Sequence, residues 1–184
     1  MSTDAALSDD DLPTSEQVVA EFRRALDEPE HRSTGSLVGR LLDLLRSNLD
    51  QWNLEDEARG SLADDAAVAK AKRAIDQLNA GRHHIVEEID AAIDRTVTQK
   101  ASALLATESP AMAFDRLSVL VIRIHNTERA AGEEASESGG YAARLPVLYL
   151  QLADLQQAID GLIADVRGGR RRFVPYQSLK LYGQ

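Results

Sequence analysis

Apolar residues recur at alternating steps of three and four along most of this chain, the spacing of one face of an α-helix. The longest such row (here called the seam) lies between Asp64 and about Lys100, and a second follows residue 144. The two rows are Val68, Ala71, Ile75, Leu78, Ile85, Ile89 and Ala92, and Leu145, Leu148, Leu152, Leu155, Ile159, Leu162 and Val166. No stretch alternates with period two for long enough to predict a strand. The pattern therefore predicts helices throughout.

The same spacing predicts three shorter helices: one from Ser15 as N-cap, one capped by Thr34 or Ser36, and one with Pro110 in its first turn. Residues 1–14 are acidic and aperiodic and are predicted to be disordered. Residues 15–168 are predicted to form the helical domain, and residues 169–184 an extended basic and aromatic tail. The expected fold is an all-α antiparallel bundle of four to five helices with one long coiled-coil-like helix.

Charged residues interrupt the seams where helices should meet. Arg82 falls between Leu78 and Ile85, where an apolar residue is expected. The seam of the second helix continues into Asn48, Trp52, Glu55 and Arg59, and that of the fourth into Glu128, with His125 beside it. Because an unpaired buried charge costs several kcal/mol, these groups are predicted to meet one another. We expect Arg59 and Arg82 to pair with Glu55 and Glu128.

A second polar stripe runs beside the seam of the long helix. It consists of Asp76, Asn79, His83, Glu87 and Asp90. The stripe is either ordinary solvated surface or, if it faces Asp115, Ser118 and His125, one wall of a polar cleft. The candidate polar pocket is Asn48, Glu55, Arg59, Asp76, Asn79, Arg82, His83, Asp115, His125 and Glu128.

Metal and nucleophile chemistry have little support. His84 with Glu87, and His125 with Glu128, reverse the Glu-x-x-His order of di-iron bundles, and Arg82 nearby would repel a cation. They are weak candidate ligands, and no metal or cofactor is predicted. The chain has no cysteine and no Gly-x-Ser-x-Gly or phosphate-binding glycine motif.

The net charge and the apolar runs of the chain limit the kinds of partner and location that we expect. A formal net charge of −9 argues against nonspecific nucleic-acid binding. No apolar run reaches the ~18 residues that a membrane span needs, and the acidic start lacks the order of a signal peptide. These features predict a cytoplasmic protein.

The tail is rich in basic and aromatic residues and is predicted to dock. Arg170, Arg171 and Arg172 follow the last helix, and three of the eight aromatic residues lie here: Phe173, Tyr176 and Tyr182. The expected docking surface is this bundle or a sister subunit, and the alternative is a partner protein or an acidic lipid surface. A homodimer is expected, because the long helix outgrows a compact monomer.

Four stretches of the sequence resemble a bacterial family known as domain of unknown function 4254. They are NLDQWNLEDEAR (48–59), AKRAIDQLNAGRHHIVEEID (71–90), FDRLSVLVIRIHNTE (114–128) and the terminal FVPYQSLKLY. The matching positions are Asn48, Trp52, Glu55, Asp56, Arg59, Arg73, Asp76, Asn79, Arg82, Glu88, Asp90, Asp115, Arg116 and Ser118. The resemblance implies an all-helical protein with no assigned activity.

The sequence thus favours a noncatalytic structural or interaction protein with a buried Arg/Glu network. The alternative is an enzyme or small-anion binder that uses an inter-helical polar pocket. Whether the protein is an enzyme stays open at this stage.

Overall fold

The computed structural model describes residues 12–32, 36–60, 65–133 and 140–179, without the side chains of residues 36, 58–60 and 65–68. Within these ranges the helices are α1 (Ser15–Asp27), α2 (Ser36–Gly60), α3 (Asp65–Thr96), α4 (Pro110–Glu133) and α5 (Leu145–Arg167). A 3-10 turn at Ala142–Arg144 leads into α5. The predicted all-α bundle is confirmed.

Two strands of two residues each were not predicted, because they are too short to show a period. β1 (Leu104–Leu105) pairs in parallel with β2 (Arg171–Arg172). The pairing ties the segment after α5 to the connection between α3 and α4.

Helix α1 begins one residue earlier than predicted, because the N-cap is Thr14 and not Ser15. Thr14 is the N-cap and forms a capping box with Gln17, which frees Ser15 for another contact. The backbone N–H and Oγ of Ser15, a buried residue, both donate to the carboxylate of Asp160 on α5, each at 2.8 Å. Leu12 is also buried. Residues 1–11 lie outside the described ranges, so their disorder stays a prediction.

Helix α3 has 32 residues, which corresponds to ~48 Å at 1.5 Å per residue. Of the apolar residues of its predicted seam whose side chains the structure describes, only Ile89 is buried, and Ala71, Ile75, Leu78, Ile85 and Ala92 are half-buried. The buried face near the C-terminal end consists of Val86, Ile89 and Ile93, so the predicted seam is displaced by one position there. Nearer its N-terminus, α3 has space beside it for polar side chains.

The core is a single cluster to which all five helices contribute. Helix α2 packs mainly against α3, and α4 against α5, while α1 covers α4 and α2. Fully buried members include Phe22, Leu41, Leu45, Ile89, Ile93, Phe114, Leu117, Ile124 and Ile159. Across the described ranges, no helix has the length and apolar character required to cross a bilayer.

Candidate functional site

Arg82 lies near the middle of α3, and its guanidinium is held from two sides. Nη1 donates to Oδ2 of Asp115 on α4 at 2.7 Å. Nη2 makes a longer bond of 3.4 Å to Oδ1 of Asn79, one turn back on α3. The side chains of Arg82 and Asp115 are 23% and 19% exposed to solvent. The charge on the seam therefore does meet a carboxylate of another helix, and that carboxylate is Asp115.

Two buried polar residues fix the position of Asp115. Asn48 on α2 donates through Nδ2 to Oδ1 of Asp115 and to Oγ of Ser118, both at 2.7 Å. The Ser118 hydroxyl donates to the backbone oxygen of Asp115 at 2.8 Å. Because each carboxylate oxygen of Asp115 already accepts a hydrogen bond, the carboxylate holds Arg82 in one orientation.

The Arg82 guanidinium is not fully satisfied by these contacts. Its Nε is buried, and no atom within the described residues accepts a hydrogen bond from it. Buried donors in folded proteins almost always have an acceptor, so an exception requires an explanation such as an ordered water or a ligand. Arg82 also lines two adjoining cavities, of about 620 and 320 Å³.

These two cavities and a third of about 830 Å³ share wall residues, and we call them together the inter-helical groove. Arg123 on α4 lines all three. Other wall residues include Trp52, Glu55 and Asp56 from α2, Asp115, Arg116 and Val119 from α4, and Gln151, Asp154 and Leu155 from α5. The groove is thus bounded by α2, α4 and α5, with Arg82 of α3 at its inner wall.

The family model described as "Protein of unknown function (DUF4254)" matches residues 40–174, well over half of the chain. The chain belongs to this family. No curated protein and no solved structure matches the chain. The span matched by the DUF4254 model contains every groove residue named above, so the groove is a feature of the family region.

Three charged residues of the groove in this DUF4254 chain have no ionic partner among the residues that the structure describes. Arg123 and Asp154 lie on facing walls of the first cavity, and Arg144 lines the third cavity, where its guanidinium lies 5.2 Å from the centre of the Tyr141 ring. Arg116, by contrast, pairs with Glu108 at 2.6 Å. The groove of this acidic protein therefore has two guanidinium groups without an ion pair, one carboxylate without an ion pair, and the buried Nε of Arg82 that lacks an acceptor.

The end of α2 gives only part of the predicted network. Gln51 donates to Glu55 at 3.1 Å, and the Trp52 indole donates to Asp56 at 3.0 Å. Glu55 lies on the groove wall with Arg82. The side chain of Arg59 lies outside the described residues, so its predicted role there stays a prediction.

The predicted pairing of Arg82 with Glu128 is wrong. Glu128 accepts a hydrogen bond from the Tyr149 hydroxyl at 2.5 Å and lies 3.7 Å from Arg23 of α1. His125 lies 3.9 Å from Asp27 of α1. Glu128 thus contacts α1 and α5 and His125 contacts α1, because the turn of α4 beyond Arg123 carries them to another side of the bundle.

The second polar stripe of α3 is neither solvated throughout nor part of the groove. Asp76 is exposed and Asn79 contacts Arg82, but the rest of the stripe is covered by the tail. The Tyr176 ring stacks on His83 with centroids 5.4 Å apart, and its hydroxyl lies 2.6 Å from His83 Nδ1. The Ser178 N–H donates to Glu87.

Asp90, the last residue of the stripe, is the centre of a closed polar cluster. Its side chain is fully buried and accepts from the Ala111 N–H at 2.9 Å and the Tyr176 N–H at 2.8 Å. Burial raises the pKa of Asp90 above its usual range, although bonds from Ser109, Tyr176 and Ala111 oppose that rise. Asp90 thereby fastens both the first turn of α4 and the tail to α3.

The tail of this chain docks on its own bundle over the described residues. Phe173 is buried in the core, and its N–H donates to Gln99 at 2.6 Å. The hydrogen bond from the Ser178 backbone lowers the pKa of Glu87. Tyr182 lies outside the described residues.

The weak metal candidates are not brought together. His84 is largely exposed and lies 3.8 Å from Glu87 and 3.5 Å from Glu88, whereas His125 contacts α1, and Glu128 contacts α1 and α5. Searched over the described part of the chain, no group of three or more His, Asp or Glu side chains has the arrangement of a metal site.

The groove residues Arg123 and Asp154 were not predicted as site residues, although the sequence holds a signal for Arg123. Asp115, Val119 and Arg123 are spaced four apart and so lie on one face of α4. Arg123 was therefore accessible to the same spacing argument as Arg82. Asp154 is exposed on α5, and nothing in the sequence around it distinguishes it from an ordinary solvated residue.

Proposed function

We propose that this protein binds a small organic anion, of the carboxylate or phosphate class, in the inter-helical groove. Arg82 and Arg123 are the anchoring residues. The observation that supports this function most strongly is the buried Nε of Arg82, which has no acceptor within the described residues and belongs to a side chain that lines the groove. An oxyanion at that position would satisfy it.

The geometry of arginine suits such a ligand. Nε and Nη2 share one edge of the planar guanidinium, and arginine binds oxyanions bidentately through a pair of N–H groups. In Arg82, the other terminal nitrogen is taken by Asp115 at 2.7 Å, whereas Nη2 has only the 3.4 Å bond to Asn79. A ligand oxygen could therefore replace a weak contact without breaking the strong one.

Arg123 supplies the second charge. It lines all three cavities and has no ionic partner among residues 12–32, 36–60, 65–133 and 140–179. Because Asp115 neutralises Arg82 and Glu108 neutralises Arg116, the attraction for an anion in the two cavities that Arg82 lines comes mainly from Arg123. Arg82 then contributes directed hydrogen bonds, and Asp115 keeps it oriented.

The second candidate is a noncatalytic structural or interaction role, in which the polar cluster only fixes helix register. It is favoured by the burial of Asn48 and Ser118, which link α2 to α4 beside Asp115. The openness of Arg82 to the groove is the reason to prefer the binding function. A cytoplasmic location belongs to both proposals.

The experiment is a thermal-shift screen of the purified chain against inorganic phosphate, dicarboxylates and sugar phosphates, followed by calorimetric titration of the best compound. A ligand at one hundred times its Kd stabilises by about 2.7 kcal/mol, which raises the Tm of a protein of this size by roughly 5–11 °C. The variants Arg82→Met and Arg123→Met should lose that shift. Arg95→Met, an exposed arginine on the same helix as Arg82, is the matched control and should keep it.

The result that contradicts the binding function is equally clear. Either no compound in the screen raises the Tm, or the best compound still raises it in both groove variants. The structural role would then be the better account of the cluster.

A further inference from the structure

The outer face of α5 differs from the solvent-facing sides of the other helices. At 3.6 residues per turn, eight of the thirteen exposed residues of α5 share one side, which we call the outer face: Pro146, Val147, Leu150, Ala153, Asp154, Gln157, Gly161 and Ala164. The other five, Tyr149, Gln151, Ala158, Asp160 and Arg167, border it. Only one of the eight residues of the outer face carries a charge. Val147 and Leu150 are 57% and 63% exposed. A helix in a monomer normally places charged and polar residues on its solvent side, so this face has the composition of a contact surface.

Helix α3 provides the contrast within the same molecule. Its exposed residues include Lys70, Lys72, Arg73, Asp76, Gln77, His84, Glu88 and Arg95. That side is an ordinary hydrated helix surface. The apolar outer face of α5 is therefore not a general property of this alanine- and leucine-rich chain.

The order of side-chain sizes along α5 indicates what covers the face. Large residues, Val147 and Leu150, lie in its first half, and small ones, Gly161 and Ala164, lie in its second half. A Cβ added to Gly161 would meet nothing within 4 Å, so there is open space above it. An antiparallel helix with the same order of sizes would place its large residues over the small ones.

We propose that α5 pairs with α5 of a second copy of this chain across a twofold axis. Leu150 lies over the partner's Gly161, and Val147 lies over the partner's Ala164. Both pairs have the same midpoint, between Leu155 and Gln156. One axis therefore satisfies both pairs, which is the condition for a closed, self-complementary interface.

The single charge on the face fits the same axis. Asp154 and Gln157 are also symmetric about the midpoint between Leu155 and Gln156, so the Asp154 carboxylate can accept from the amide of the partner's Gln157, and this bond occurs twice. A partner of another sequence would meet these requirements only by coincidence. A second copy of this chain provides the partner for Leu150, for Val147 and for Asp154 about one and the same axis.

The test is the mass of the full chain in solution, measured by analytical ultracentrifugation over a concentration series. The wild type should sediment as a dimer at high concentration. Gly161→Leu fills the space reserved for Leu150 and should weaken dimerisation by about 30-fold or more. Because Gly161 is exposed and leucine favours helix, this variant should remain folded, as circular dichroism would show.

A control and a positive test complete the design. Leu104→Lys changes a residue that is 72% exposed on β1, away from α5, and should leave the dimer intact. The chain has no cysteine, so Leu150→Cys with Gly161→Cys should form a disulfide only between copies. A monomeric wild type, a dimer unaffected by Gly161→Leu, or no cross-linked dimer on oxidation would each overturn the proposal.

Discussion

Helix α3 carries two polar clusters, centred on Arg82 and Asp90, and they differ in how completely they are closed. Asp90 is fully buried, and its carboxylate accepts bonds from α4 and from the tail. Arg82 is 23% exposed, lines the groove, and keeps one buried N–H without an acceptor in the described part of the chain. The two groups lie about two turns apart.

The difference indicates two different purposes for polar residues on one helix. A closed cluster joins backbone segments. Its loss leaves buried N–H groups without acceptors and therefore lowers the stability of the fold. An open cluster has water or a ligand as its remaining partner, so its loss affects folding less and binding more. The variants below test this contrast, beginning with the largest expected effect.

Phe173→Ala should have the largest effect, because it removes the apolar anchor that holds the tail over Asp90. Phe173 is 3% exposed, and truncation of a buried Phe costs about 3–5 kcal/mol. Urea unfolding should show that loss, and hydrogen exchange at the Tyr176 amide should accelerate. Val174→Ala, at an exposed neighbour, is the control and should change stability by less than about 0.5 kcal/mol. An unchanged exchange rate at Tyr176 in Phe173→Ala would show that the tail is held without its anchor.

Asp90→Ala should follow closely. It leaves the N–H groups of Ala111 and Tyr176 without their acceptor. Each buried N–H group without an acceptor lowers the free energy of unfolding by about 1–3 kcal/mol. We expect a loss of roughly 3 kcal/mol, measured by urea unfolding. Asp76→Ala, on the exposed side of the same helix, should be nearly neutral. Equal effects of the two substitutions would mean that the Asp90 cluster is not closed.

The pH dependence of stability should show a smaller effect of Asp90. Burial raises the pKa of Asp90 above 3.8, its value in an unfolded chain, so the native state binds the proton more tightly. Its favourable contribution is full below that value and is lost as pH rises through the native pKa. The stability of the wild type relative to Asp90→Asn should therefore decrease as the pH rises above about 4. A difference that increases with pH would contradict the assigned direction.

The helices could be predicted from the sequence because the three-and-four spacing is a local property. That spacing also identified Arg82 and Asn48 as polar residues facing other helices. The partner of Arg82 could not be predicted, since choosing Asp115 over Glu128 depends on how far α4 is shifted along α3 as well as on its rotation. The two residues lie ~20 Å apart along α4 at 1.5 Å per residue, and the apolar spacing does not fix the register of one helix against another.

The role of the second stripe depended on a longer-range contact. No residue near His83, Glu87 or Asp90 in the sequence indicates that residues 176–178 will cover them. The tail was predicted to dock from its aromatic content, but its docking surface is set by tertiary packing. Two-residue strands such as β1 and β2 likewise form only because the tail passes that point, and local patterning does not encode them.

The most direct test of the central claim is the free energy of unfolding of Arg82→Met. If Arg82 is held mainly for a ligand, its loss should change stability by no more than about 1 kcal/mol, because Asp115 stays partly hydrated and bonded to Asn48. A loss of about 3 kcal/mol or more, equal to that of Asp90→Ala, would show that Arg82 belongs to the scaffold and would contradict the account.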